Sequence, residues 1–231
     1  MPVCGRINLK LSPTELAEFF SLFREPEWSP RYNLGPMQSI LVVRLKPGGV
    51  RQMDPLQWGL VPSWARDAAS GSIMTLARSD TITEKPAFRE AICSRRCLIP
   101  AGGFYEWQHI SGKTKQPWHI FRRDGRPFAF AGIWETWRRP DGGWLESCAI
   151  ITTDANPFMS ELGDRMPVML SEPDWDIWLQ GQTLRPVVLS ELFVPNTVIE
   201  LDKTPVSTFV NSVKNDSPEC IRPVPKPRTL F

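Results

Sequence analysis

Apolar positions in this chain recur with two periods, and the change of period marks the elements. Leu16, Phe19, Phe20 and Phe23 fall at i, i+3, i+4 and i+7, one face of a short helix. Ser12-Pro13-Thr14-Glu15 stands directly before them and has the form of a capping box with Pro at the first helical position. Residues 28–36 are punctuated by Pro and Gly and predict an extended loop. Strand patterns then take over. Residues 40–45 form a β-branched apolar run, and residues 53–60 are a second candidate. Cys97-Leu98-Ile99-Pro100 and Phe104-Tyr105-Glu106-Trp107 predict consecutive short strands around the Gly102-Gly103 bend. Residues 118–121 and 128–137 flank Asp124-Gly125, a hairpin signal. Pro140-Asp141-Gly142-Gly143 predicts another turn, followed by a strand over 144–152. A second helix is expected near Ser171, carrying Trp175, Trp178 and Leu179, and a late strand over 197–201.

Many meandering strands with few helices predict an α+β fold, a single compact domain with a bent, barrel-like antiparallel β-sheet core. The domain is expected over residues 1–217, and 218–231 reads as a Pro-rich C-terminal tail. At 231 residues the chain can bury one large core without needing a second. Ten Trp and twelve Phe against two Tyr leave two readings open, a Trp-rich core or surfaces on which bases stack.

A net charge of +2 excludes a chain coated in basic residues, so any nucleic-acid site must be a local groove. No apolar run approaches the ~20 residues that span a bilayer, and the N-terminus lacks a secretory h-region. The expected setting is therefore the cytoplasm, with no membrane partner. Five Cys do not read as a disulfide framework, and Cys93 and Cys97 have no second Cys/His pair at metal-ligand spacing. Neither a metal nor a cofactor is expected.

Candidate chemistry is sparse. His109 and His119 both fall in predicted strands with no nucleophile at a telling spacing, and no P-loop, GxGxxG or HExxH occurs. Glu106 lies inside an aromatic run. Buried there, its carboxyl would rise toward the range useful for proton transfer; facing outward, it would be an ordinary strand residue.

The order of short segments adds more. Cys4-Gly5-Arg6, then Arg31-Tyr32-Asn33 with Pro36, then the run 57–65 ending in Trp64 and Ala65, are followed by Ala77-Arg78-Ser79-Asp80-Thr81. The twelve residues 96–107, Thr152-Thr153-Asp154-Ala155-Asn156, Asp164-Arg165-Met166-Pro167-Val168, and Val206-Ser207-Thr208 with Asn211 complete the series. Over residues from about 4 to about 217 the chain resembles the SRAP family, the SOS-response-associated peptidases that shield abasic sites.

That resemblance implies a single α+β domain whose partner is single-stranded DNA bearing abasic sites, acting as a monomer near the nucleoid. It implies a cross-link in which an N-terminal Cys amine forms an imine with the opened sugar and its thiol closes a thiazolidine. Cys4 takes the place of that nucleophile, and Glu106 that of the acid/base. Arg6, Arg78 and Arg165 take the places of arginines along the DNA groove, and Trp64 either stacks on a base or packs in the core.

Three positions depart from the pattern. Leu76 stands where the family has Asn, and Gly163 where it has His. Met1-Pro2-Val3 precedes Cys4, whose nitrogen is then a resonance-delocalised amide and not a nucleophile. Four readings follow. Translation starts at the Val3 codon; or the chain removes residues 1–3 itself; or loss of Met1 exposes the secondary amine of Pro2; or the protein is a diverged, non-covalent binder of single-stranded DNA. A peptidase acting on other proteins has no recognisable triad to support it.

Overall fold

The computed structural model describes residues 4–112 and 114–225. After β1 (Ile7–Leu9), helix α1 (Pro13–Phe20) starts as its sequence requires. The Ser12 hydroxyl accepts the Glu15 N–H, and the Glu15 carboxylate accepts the Ser12 N–H at 2.7 Å, so both halves of the capping box form. Ser21 then takes a left-handed conformation (φ 51°) and ends the helix. Phe23 consequently leaves the apolar face that Leu16 and Phe20 bury, and is 78% exposed.

The strands that follow are β2 (Arg31–Leu34), β3 (Ser39–Lys46), β4 (Val50–Trp58) and β5 (Leu76–Arg78). Helix α2 (Arg89–Ser94) leads to β6 (Arg96–Ala101), β7 (Gly103–Ser111), β8 (Thr114–Arg122), β9 (Phe128–Arg138), β10 (Trp144–Asp154) and β11 (Arg165–Pro167). Helices α3 (Trp175–Leu179) and α4 (Pro186–Leu192) precede β12 (Leu201–Pro205).

Five strands close on themselves. β9 pairs with β6 on one side and β10 on the other; β6 pairs with β3, β3 with β4, and β4 with β10. Every step of this barrel is antiparallel except β4–β10, and β5 and β11 add to β10 outside the ring. An antiparallel sheet in the order β12-β8-β7-β1-β2 packs beside it. Phe104 of that sheet meets Phe128 and Phe130 of β9 edge-on at 5.8 and 5.7 Å, so both units share one core. The α+β, single-domain, barrel-like fold expected from the pattern is present.

Several local expectations are corrected. Residues 28–36 are not all loop, because Arg31–Leu34 pairs with β1. Asp124-Gly125 does form a turn, with Gly125 at φ 74°, but β8 and β9 belong to different sheets and make no hairpin. β9 instead forms a hairpin with β10, closed where the Gly142 and Arg139 N–H groups bond across the 139–143 turn. The late strand starts at Leu201 rather than at 197.

The Pro-rich segment is docked as far as it is described. Cys220 is fully buried, and the Val224 N–H donates to the Pro205 carbonyl at 2.9 Å. Residues 226–231 lie outside the described residues. Half of the ten Trp, Trp58, Trp118, Trp137, Trp175 and Trp178, are buried, Trp28 and Trp134 pack partly against the core, and Trp64 and Trp144 face solvent.

Candidate functional site

Strand alternation decides where Glu106 points. Gly102 carries the chain from the barrel strand β6 into the outer sheet, its N–H held by the Asn8 carbonyl at 2.8 Å. Along β7, Tyr105 turns toward Val206, Val210 and Cys220, while Phe104 turns into the main core. A period of two puts Glu106 on the face of Phe104, and it is 5% exposed. Burial pushes its carboxyl up to about 8, against the Cys4 N–H, which favours the charged form. The negative charge of Asp164 adds to the rise.

Cys4 completes the pair. Its backbone N–H donates to Glu106 Oε1 across 102 positions of sequence. The residue is fully buried and sits at φ 55°, a conformation that non-glycine residues adopt only when their surroundings hold them there. Burial, and secondarily the Glu106 charge, push its thiol well above the usual range, so at neutral pH the sulfur keeps its proton. The structure thus brings the two candidate chemical groups together, nitrogen to carboxyl.

Arg6 lies near this pair, but its donors point inward. Nη1 donates to Asn33 Oδ1 and to the Val210 carbonyl, both at 2.7 Å, and Nη2 reaches the Asn211 carbonyl at 3.3 Å. The guanidinium lies 5.6 Å from the Trp107 ring and the residue is 7% exposed. Asn33 is the hub of this assembly. Its Nδ2 donates to the carbonyls of Val210, Ser212 and Asn215, while Asp216 accepts the Tyr32 and Asn33 N–H groups and the Arg31 side chain.

Arg78 and Arg165 meet at the end of β10. Arg78 pairs with Thr152 across β5–β10, and Arg165 with Asp154 across β10–β11. Arg78 is half exposed and grips Asp80 through Nε at 3.1 Å and Nη2 at 2.8 Å. Arg165 is buried, donating to Asp154 at 2.6 Å and to the Thr152 carbonyl at 2.7 Å, with Asp80 a further 3.5 Å from its Nη2. Asp164 acts electrostatically on both Arg78 and Glu106, which ties this cluster to the Cys4–Glu106 pair.

The remaining candidates are distributed around these groups. Trp64 is exposed and apart from the core. Leu76 opens β5 opposite Ile150 and packs partly on the core. Gly163 ends the turn after a short 3-10 segment (Met159–Glu161), its N–H on the Met159 carbonyl at 3.0 Å. Of the two His, His109 is exposed, and His119 is buried against Asn8 Nδ2 at 2.8 Å with its ring pulled down to about 3. Among the described residues, no group of three His, Cys, Asp or Glu is placed to hold a metal ion. Sequence reasoning does not single out Asn33, Asp80 or Asp164; the last two lie within two residues of the candidate arginines in the same short segments, the one signal that points to them.

Comparison with known proteins assigns the family and the fold. The family model described as SOS response associated peptidase (SRAP) matches residues 3–213. The chain is 40% identical over 222 residues to the abasic site processing protein YoqW of Bacillus subtilis (strain 168), covering 95% of this chain and 99% of that one. It is 33% identical over 265 residues to the abasic site processing protein HMCES of Gallus gallus, covering 96% and 78%. A crystal structure of a protein from Bacteroides thetaiotaomicron superposes with a TM-score of 0.85 at 25% identity, covering 96% of this chain and all of the other.

Proposed function

Since the chain belongs to the SOS response associated peptidase family, we propose that it processes abasic sites in DNA, capturing the opened sugar through Cys4 with Glu106 as proton carrier. The observation that carries the reading is the hydrogen bond from the Cys4 nitrogen to the Glu106 carboxylate, with both residues buried. In the form whose first residue is Cys4, that nitrogen is an amine. Its lone pair attacks the aldehyde carbon of the ring-opened deoxyribose, and the carbonyl oxygen takes a proton. Loss of water leaves an imine; the thiol then adds across it, sulfur bonding to carbon and the thiol proton passing to nitrogen.

A carboxyl near 8 exists in both protonation states around neutral pH, so it can take the ammonium proton and deliver one to the departing hydroxyl. The same contact supports self-removal of residues 1–3, because Glu106 stands at the nitrogen that must leave when the Val3–Cys4 amide breaks.

A second reading, non-covalent binding of single-stranded DNA, is favoured by Leu76 and Gly163, which offer no side-chain proton at two positions where the family has Asn and His. One gel separates the two. The protein is mixed with a single-stranded oligonucleotide carrying an abasic site and then denatured. A shifted band that disappears in Cys4→Ala supports capture; native-gel binding with no denaturation-resistant band supports the binder. Intact mass of protein from its native host reports whether Cys4 is the first residue.

A further inference from the structure

The cluster at the end of β10 holds more negative than positive charge, which is unexpected at a site that would take a phosphate backbone. Two guanidinium groups, Arg78 and Arg165, stand among the carboxylates of Asp80, Asp154 and Asp164. Arg165 is committed internally through Asp154 and the Thr152 carbonyl. Arg78 is the solvent-facing cation of the pair, and its fork is already filled by Asp80 in the two-point geometry that a phosphate would adopt. Asp80 is itself half exposed, so an incoming anion competes with it in water rather than in the core.

Resting on the DNA reading above, we propose that Asp80 is a specificity-determining residue: an internal stand-in for phosphate that occupies Arg78 and weakens binding to intact single-stranded DNA. Backbone contact at this point then gains little by itself, because a phosphate must displace a carboxylate of similar geometry. Retention falls to the abasic sugar held at Cys4 and Glu106, and undamaged strand is released. Asp80 works through Arg78 and is a positioning residue, not a catalytic one.

The test uses the full chain and a labelled intact single-stranded oligonucleotide, followed by fluorescence anisotropy across a salt series, beside the same strand with one abasic site. Asp80→Asn keeps the shape and removes the charge. Expected is roughly tenfold tighter binding of the intact strand, with the log–log salt slope steeper by about 0.7, the increment for one added phosphate contact on a single strand. The preference for the abasic strand narrows by the same factor, and adding Arg78→Ala to Asp80→Asn abolishes the gain. A folded Asp80→Asn chain with unchanged or weaker binding of the intact strand overturns the role and leaves the DNA reading intact. So does a variant that loses its thermal transition, which would make Asp80 structural. Wild-type protein that binds neither strand overturns the DNA reading and this role together.

Discussion

Arg6 and Asn33 form a buried pair in which the guanidinium donates to the amide oxygen at 2.7 Å. Together they tie the edge formed by β1 and β2 to residues 208–216, where Asn211 Oδ1 receives the Trp107 indole N–H at 2.8 Å. A phosphate contact needs donors turned to solvent, and the terminal nitrogens of Arg6 are spent on carbonyl oxygens inside the fold. Arg6→Ala strands Asn33 Oδ1 without a donor and empties the space below Trp107. The expected loss is on the order of 3 kcal/mol, typical for a charge-assisted buried network. It is read as a lower urea midpoint at unchanged m-value. An Arg6→Ala chain with wild-type stability but weak DNA binding would move this residue back to the groove.

Glu106 makes stability depend on pH with a definite sign. Its carboxyl has an ordinary value of 4.5 and is held up near 8 in the folded chain. Between those values the folded state keeps a proton that the unfolded state has released. Stability therefore falls as pH rises across the window, by about 1.4 kcal/mol per unit at most, and levels off above it. Glu106→Gln removes this slope while its amide oxygen still accepts the Cys4 N–H. The difference between the urea midpoints of the two proteins should grow from about pH 5 to about pH 8, with the variant the more stable. The same substitution should slow cross-linking by about 10²–10⁴-fold. Parallel pH profiles for the two chains would mean that the carboxyl does not titrate in that range.

His119 works in the opposite direction. Its ordinary value is 6.5, and burial, helped by the Lys10 charge, pulls it to about 3. Below 6.5 the unfolded chain gains a proton that the folded chain refuses, so stability is lost as pH falls toward 3. His119→Gln, able to accept from Asn8, should lower the pH of half acid-unfolding. The His119 and Glu106 windows overlap between 4.5 and 6.5, where their slopes cancel. Wild-type stability contributed by these two groups should be flat there and decline on either side. A titration of the His119 ring near 6.5 by NMR would refute the first half of this account.

Local chemistry was the legible part of the sequence. Ser12 and Glu15 specify a helix start within four residues, and they deliver it. Asp124-Gly125 shows the limit: the dipeptide does turn the chain, but whether the strands beside it pair depends on β6, β7, β10 and β12, all distant in sequence. Arg31–Leu34 was hidden because Pro and Gly surround a strand held by β1 and by the Asp216 carboxylate, 184 residues from Tyr32. At the site, motif order pointed to Cys4 and Glu106, yet spacing left the direction of Glu106 open. Registration of β7 against β1 and β8 settles that direction, and register is a property of partners rather than of the strand alone. Arg6 and Arg165 read as groove arginines for the same reason, since the carbonyls and carboxylates that take up their donors are supplied by other segments.

Gly163 supports the last prediction. It stands beside Asp164, whose charge acts on Glu106, at a position where the sequence resemblance implies a His. Forming the imine from an amine and an aldehyde is intrinsically easy, so one carboxyl near 8 can serve both proton transfers of the forward path. Reversal is more demanding: the thiazolidine nitrogen must be protonated as sulfur departs, and water must then be activated at the imine carbon. A lone carboxyl must serve these transfers one after another, and a second carrier at position 163 would speed formation and reversal alike. A cross-link made by this chain should therefore persist, and Gly163→His should shorten its lifetime by about 10²-fold or more, the usual contribution of a positioned general acid or base. The check is a chase with excess unlabelled abasic oligonucleotide after the labelled cross-link has formed, followed on a denaturing gel. Release of intact labelled DNA from wild-type protein as fast as from Gly163→His would show that the second proton carrier is not what limits reversal.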